Sequence, residues 1–243
     1  MPKRLDRRAR PRAPGMTRPG PTDPGHARGE VSLHGVFLAL RLPDRSGENV
    51  SRPSTGVLIV GEPGIGKSEL ALDLVSRGHA LIADDSPLFR RQDDGSWMGH
   101  CPFPLQDFLE VRGLGILDLR RLFGDEAIIQ QHRLDLVIRL EDAPNASLSP
   151  EERLRGAWRE YREAGLVIPA LPLSVRGGRN LALLVETAAR VHACGTGEGS
   201  RYNAVDELSR RLESSISNAQ RNPVREAREV RDQDAQNLGK ESP

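Results

Sequence analysis

One stretch, Thr55 to Asp85 (TGVLIVGEPGIGKSELALDLVSRGHALIADD), restricts the fold of this chain more than any other. Val57, Leu58, Ile59 and Val60 form a short apolar run without helical period, as a buried strand does. Gly61-Glu62-Pro63-Gly64-Ile65-Gly66-Lys67-Ser68 then fits the nucleotide-binding loop pattern G-x-x-x-x-G-K followed by Ser or Thr. Glycines let successive backbone N–H groups turn inward around a phosphate, where a Cβ would obstruct the approach. Lys67 is placed to reach β- and γ-phosphates, and the Ser68 hydroxyl to ligate Mg²⁺. Leu70, Ala71, Leu74 and Val75 share one face of the helix that follows, whose positive end points at the anion. Gly78 can cap it, and Leu81-Ile82-Ala83 reads as the next strand. Asp84 and Asp85 come at that strand's C-terminal edge, where open parallel sheets bind ligands. Adjacent carboxylates after a strand are often a solvated turn. Next to a phosphate loop they are candidates for acid–base chemistry.

Composition excludes several classes. The 243 residues, 37% of them hydrophobic, suit one globular domain with unstructured ends. A formal net charge of +1 makes no overall case for nucleic acid. No apolar run approaches ~18 residues, so no membrane span is expected, and no secretory signal is visible. Cys101 and Cys194 stand apart, without metal-ligand spacing, which fits a reducing cytoplasm. The six histidines form no ligand cluster.

The reading divides the chain into a basic arm (1–30), a body (31–194) and a tail (195–243). Residues 1–29 carry eight Lys and Arg against two Asp and too few apolar side chains to fold. A solvated tail, electrostatic attachment to an acidic partner or RNA, or translation starting at Met16 all fit that arm. Val31 to Leu42 is strand-like, with His34 before Gly35 at a turn or strand start, and Pro43 to Pro53 is a loop. Pro87–Arg91 and Trp97–Gly99 read as strands around an Asp93-Asp94-Gly95 turn. A short helix is expected at Leu105–Leu109.

Glu110 and Arg112 alternate, so they share a face of an extended chain, with a surface ion pair as the default. Leu134–Leu140 is a strand followed by Glu141-Asp142. Ser149-Pro150-Glu151-Glu152 is a helix start, and the expected helix runs to about Glu163, ended by Gly165. Leu171–Val175 is extended, Arg176–Asn180 is a basic glycine-rich loop, Leu181–Val185 is apolar, and Glu186–His192 is helical. Residues 195–200 form a linker. Val205, Leu208, Leu212 and Ile216 recur at helical spacing, an apolar stripe for docking on the body or on a neighbouring subunit. Polar, unstructured residues follow from about 221.

With GEPGIGKSELALDLVSRGHALIADD and EVRGLGILDLRRLFG in view, the chain resembles the catalytic domain of the bacterial HPr kinase/phosphorylase family. That family pairs a phosphate loop with R-G-H-x-L-(I/V)-A-D-D, here Arg77 to Asp85. It carries a signature near E-(I/V)-R-G-L-G-I, here Glu110 to Leu119, and a later G-R-N segment, here Gly178 to Ala189. The likeness spans roughly residues 31 to 193.

It implies an α/β fold: a phosphate-loop kinase domain around a twisted sheet, like phosphoenolpyruvate carboxykinase. It also implies a protein-serine kinase of the cytoplasm that uses ATP and Mg²⁺, or pyrophosphate as donor. The expected partner is the small phosphocarrier protein HPr of the phosphotransferase system, or a nitrogen-branch paralogue. The same family removes the phosphate by phosphorolysis, and its members are homo-oligomers, namely hexamers. Gly61 to Ser68 match the nucleotide loop, and Ser68 and Glu110 the metal contacts. One of Asp84 and Asp85 matches the base, the other lying near the metal; Arg112 belongs to the signature serving both activities. His34 matches the histidine ahead of the loop, and Ser174 to Asn180 the dephosphorylation loop.

Four departures stand out, one being that the dephosphorylation loop reads Arg176-Gly177-Gly178-Arg179 rather than the family's usual valine or proline form. The family's N-terminal domain is missing from this sequence, as in short forms, and Pro43–Pro53 is inserted. The family's D-R-L-G arginine has only Arg153, in Glu152-Arg153-Leu154-Arg155, as its counterpart. The residues leave open a kinase of the same family with another acceptor, and a nucleotide-sensing module that does not transfer.

Overall fold

The computed structural model describes residues 29–42, 54–142, 148–195 and 204–217. The basic arm up to residue 28, the Pro43–Pro53 loop, the 195–200 linker (apart from residue 195) and the polar C-terminus lie outside the described residues.

In chain order the strands are β1 (Glu30–Ser32), β2 (Val36–Arg41), β3 (Ser54–Val60), β4 (Ala80–Ala83), β5 (Leu88–Arg91) and β6 (Trp97–His100). They continue with β7 (Phe108–Val111), β8 (Gly115–Asp118), β9 (Gln131–Arg133), β10 (Leu136–Glu141), β11 (Arg159–Glu163) and β12 (Leu166–Ser174). The helices are α1 (Lys67–Ser76), α2 (Leu119–Phe123), α3 (Pro150–Arg155) and α4 (Leu181–Cys194), and residues 204–217 form one more.

Six strands make the central sheet, in the order β11-β12-β10-β3-β2-β4. β3, β10 and β12 run parallel, while β2 lies antiparallel between β3 and β4. The carboxyl ends of β3, β4, β10 and β12 therefore share one border, where such sheets hold their ligands. The near-continuous apolar runs of β2 and β3 follow from burial on both faces. On one face, Val57, Ile59, Leu136 and Ile138 pack with Leu70 and Leu74 of α1 and Val185 of α4. On the other, Phe37, Leu58, Val60 and Val137 pack with Phe89, which belongs to a second, antiparallel sheet ordered β1-β5-β6-β9. Phe37 and Phe89 meet edge to face at 5.1 Å. Gly99 is required there, because an added Cβ would sit 2.4 Å from the Phe89 ring.

Three sequence expectations give way. Leu105–Leu109 is a turn entering β7, not a helix: Leu109 and Val111 are buried while Phe108 and Glu110 are exposed, so the two-residue alternation prevails. The helix begun by the Ser149–Glu152 capping box stops at Arg155, because Gly156 takes a left-handed φ of 82°. Arg159–Glu163, which reads as helix from its spaced charges, is instead the edge strand β11 against β12. Leu181–Val185 is the first part of α4, continuous with Glu186–His192 and capped by the Asn180 side chain. The stripe of the 204–217 helix is not docked on the body: Leu208, Leu212 and Ile216 are each more than half exposed. No described helix is long and apolar enough to cross a membrane.

His79 is buried between these elements. Its Nδ1 accepts from the Arg41 backbone N–H at 3.1 Å and its Nε2 faces Glu186 at 3.0 Å. An accepting Nδ1 requires the neutral ring with the proton on Nε2. Burial holds the pKa below its ordinary 6.5. A depressed imidazole pKa means the native state binds fewer protons than the unfolded chain there. Its contribution is thus intact above the unfolded pKa and lost as pH falls through the lower folded value. Thermal unfolding between pH 8 and 5 should show Tm falling on the acid side for the native chain. In His79→Ala that fall should be smaller, from a baseline lower by about 1–3 kcal/mol at neutral pH.

Candidate phosphoryl-transfer site

The loop between β3 and α1 is shaped by backbone rather than by side chains. Gly61, Gly64 and Gly66 all have left-handed φ values, at 150°, 79° and 104°. Gly66 caps α1 without a side-chain bond, so the first-turn amides stay open toward an anion. Lys67, 9% exposed, donates from Nζ to the carbonyls of Gly61 at 2.9 Å and Glu62 at 3.3 Å. The ammonium is therefore folded into the loop where a phosphate would neutralise it. Glu62, Pro63 and Ile65 complete the turn, and Ser68 sits one residue into α1.

β4 brings the two aspartates to the same border, and their environments differ. Asp84 is half-buried; burial raises its pKa, opposed by bonds from backbone N–H groups, with the Asp85 and Glu110 charges raising it further. Its Oδ2 accepts from the Glu110 N–H at 2.9 Å. Asp85 stands at a left-handed φ of 64°, which turns its carboxylate outward. There Oδ1 lies 3.0 Å from His34 Nδ1, with the Asp85 side chain 70% exposed. The Gly35 N–H donates to the Asp85 carbonyl at 3.1 Å, so the backbone also ties the histidine to the aspartate.

β7 and β8 form a separate two-stranded hairpin. Leu109 and Val111 bury one of its faces in the α1 core, so Glu110 and Arg112 point the other way. The Arg112 guanidinium lies over the loop: a Cβ added to Gly64 would be 3.0 Å from one terminal nitrogen. That is a different destination from a surface pair with Glu110. Asp107 and Arg120 clamp the hairpin's base through a 2.6 Å bond. At the opposite rim Arg176 donates to both Asp142 oxygens and anchors the glycine-rich loop after β12.

A cavity of about 810 Å³ runs from His34 and the loop across to Arg139, Glu141, Asp142, Tyr161 and Glu163. The Gly61–Ile65 backbone, Lys67, Asp84, Asp85, His34, Glu110 and Arg112 are thus gathered at one border. Arg153 lies in α3, which buries none of its residues, and among the described residues no contact of its side chain ties it to these groups. Tyr161 and Glu163 were not singled out from sequence, because their segment read as helix; only the pairing of β11 with β12 brings them here. Among the described residues, no group of three or more His, Cys, Asp or Glu is arranged to hold a metal. Mg²⁺ at a phosphate loop needs fewer protein ligands, since the phosphates supply the rest.

The family model for the HPr Serine kinase C-terminal domain matches residues 45–212. The chain belongs to that family. The match covers the loop, both aspartates and the signature hairpin, and starts after His34, whose assignment therefore rests on its geometry. HPr kinase/phosphorylase from Xanthomonas campestris pv. campestris (strain B100) is 45% identical over 164 residues, 67% of this chain and 48% of that protein. The Xanthomonas oryzae pv. oryzae (strain PXO99A) protein of the same name matches equally. The chain spans about half the length of these curated relatives. A solved structure, that of the Hpr(Ser) kinase/phosphatase from Coxiella burnetii, aligns with a TM-score of 0.56 and 34% identity. It covers 67% of this chain and 90% of that one, and the α/β kinase fold is shared.

The half-buried, repelled charge of Asp84 carries a cost in the folded state. A carboxyl whose pKa is raised by folding destabilises the native state as pH rises above the ordinary 3.8. Asp84→Asn keeps an acceptor for the Glu110 N–H while removing the charge. Its Tm should exceed that of the native chain at pH 7, and the difference should vanish as the pH is lowered toward 3.8. Differential scanning calorimetry across that range checks it.

Proposed function

We propose that this chain is an ATP- and Mg²⁺-dependent protein-serine kinase. Its acceptor is a small phosphocarrier protein, HPr or a nitrogen-branch paralogue of the phosphotransferase system. The observation that carries the reading is the exposed Asp85 carboxylate, 3.0 Å from His34 Nδ1 at the border holding the phosphate loop. A regulatory module that only senses nucleotide has no need of a base there. The family membership and the names of the relatives support the same activity.

Phosphoryl transfer needs alignment of acceptor and donor and neutralisation of the phosphate oxygens. The loop amides and Lys67 hold the donor's β- and γ-phosphates, and Arg112, over Gly64, adds a guanidinium at the same place. Ser68 and Glu110 are the residues that would hold Mg²⁺, which when bound offsets phosphate charge. Asp85, steered by His34, takes the proton from the serine hydroxyl as that oxygen bonds to the γ-phosphorus and the β–γ bridge breaks. Asp84 acts through position: half-buried and bonded to the Glu110 N–H, it ties β4 to the signature hairpin.

Leu114 and Ile116 at the hairpin are 65% and 73% exposed, an apolar rim suited to a protein acceptor rather than a small metabolite. The exposed stripe on the 204–217 helix favours self-association, with the hexamer as the family's form. Cys101 and Cys194, both free, suit the cytoplasm. The reverse step would use inorganic phosphate on the phosphoserine carrier to give pyrophosphate, with Arg176 and Arg179 on the loop nearest the rim.

The chain, incubated with labelled ATP, Mg²⁺ and the phosphocarrier of its own host, should transfer label to a serine. Phosphoserine carrier plus inorganic phosphate should yield pyrophosphate. Asp85→Asn should lower the transfer rate by ~10²–10⁴ with nucleotide affinity retained, the range typical of losing a general base. Asp84→Asn should cost less than Asp85→Asn, and Lys67→Ala should abolish transfer. Full activity in Asp85→Asn would remove it as the base.

A further inference from the structure

Asp85 and His34 stand beside β4 and β2, on one side of the phosphate loop in the strand order, while β10, β12 and β11 lie on the other. If the donor's γ-phosphate faces Asp85, as the proposed kinase reading requires, the rest of the donor extends the opposite way. The cavity extends that way too, over Arg139 and Glu141 of β10 and Tyr161 and Glu163 of β11. Two-residue alternation along both strands turns these four side chains to the sheet face opposite α1 and α4.

We infer that this wall is the seat of the donor's nucleobase, with the Tyr161 ring as its stacking surface and Glu163 as the group that fixes the ring. Five features carry this. The ring is half-buried against the Leu166–Ile168–Ala170 part of the second core while also lining the cavity, so it is held rather than loose. Its hydroxyl donates to Glu163, a bond that sets the ring's tilt before any ligand arrives. The Arg139 guanidinium, which lines the same cavity, brings a second flat surface, this one cationic, on which a base can stack. Glu141, 3.4 Å from Arg139, and Glu163 add carboxylate acceptors for an exocyclic amine. The whole cavity, about 810 Å³, is larger than a triphosphate alone requires and lies within the range of sites that hold drug-sized ligands.

The inference rests on the nucleotide-loop reading, so its test separates the two. Equilibrium binding of ATP and of inorganic tripolyphosphate, both with Mg²⁺, is measured for the native chain and for Tyr161→Ala, Tyr161→Phe and Lys67→Ala. Tyr161→Ala should weaken ATP about tenfold, equivalent to about 1.4 kcal/mol, and leave tripolyphosphate within about twofold. Tyr161→Phe, which keeps the ring, should bind ATP within about threefold of the native chain. Unchanged tripolyphosphate binding also shows that the variant is folded. Equal losses for both ligands in Tyr161→Ala, or no loss for ATP, would overturn the base seat. Lys67→Ala should weaken both ligands alike. Were it to leave tripolyphosphate binding intact, the loop reading itself would fail, whatever Tyr161 does.

Discussion

The left-handed backbone of Gly61, Gly64 and Gly66 is the constraint on which the rest depends. A buried strand must hand over to a helix in a few residues while leaving its amides facing outward. Side chains at those positions would strain the backbone, and at Gly64 a Cβ would press on Arg112. The loop in turn requires a rigid support on both sides. β3 has buried neighbours on either hand in β10 and β2, and α1 packs its Leu70, Ala71, Leu74 and Val75 face onto the sheet. The shape of the loop is thus a property of the core as much as of its own residues.

Around that loop, the charged groups come from four separate places in the chain. His34 precedes β2, the aspartates follow β4, Glu110 and Arg112 ride on the hairpin, and Lys67 opens α1. Backbone contacts help to hold several of them. Gly35 N–H reaches the Asp85 carbonyl, Glu110 N–H reaches Asp84, and Lys67 reaches two loop carbonyls. Such fixing leaves the neighbouring carboxylates in unequal surroundings. Burial pushes Asp84 up, while Asp85 is turned to solvent by its left-handed φ and met by a histidine. Pairs of acids in contrasting surroundings are the usual way that one is kept for proton transfer and the other for position.

Much of this was legible in the sequence, for local reasons. The loop residues, Asp84 and Asp85 at a strand's end, the alternation of Glu110 with Arg112, and the capping box at Ser149 each depend on neighbours within a few positions. The failures share a cause as well. Leu105–Leu109 and Arg159–Glu163 have apolar and charged spacings that suit a helix, yet each forms a strand or the turn into one. A glycine at φ 82° ends α3, and β12 offers an edge with free hydrogen-bonding groups. Pairing with a distant strand outweighed local propensity, and strand partners are not written into a single segment. The link from Tyr161 and Glu163 to the loop exists only through the pairing of β11 with β12, which the residues of β11 do not record.

By itself the sequence determined that a phosphate loop sits between a buried strand and an amphipathic helix, and that paired carboxylates end the following strand. Those features depend on φ freedom, side-chain period and charge, which are set residue by residue. Only the tertiary structure decided that His34 meets Asp85 and not Asp84, that Arg112 covers Gly64, and that the cavity continues to Tyr161. Each of those depends on the order of strands in the sheet and on how far a hairpin reaches over its neighbour. Such distances arise when remote segments pack, and no local pattern records them.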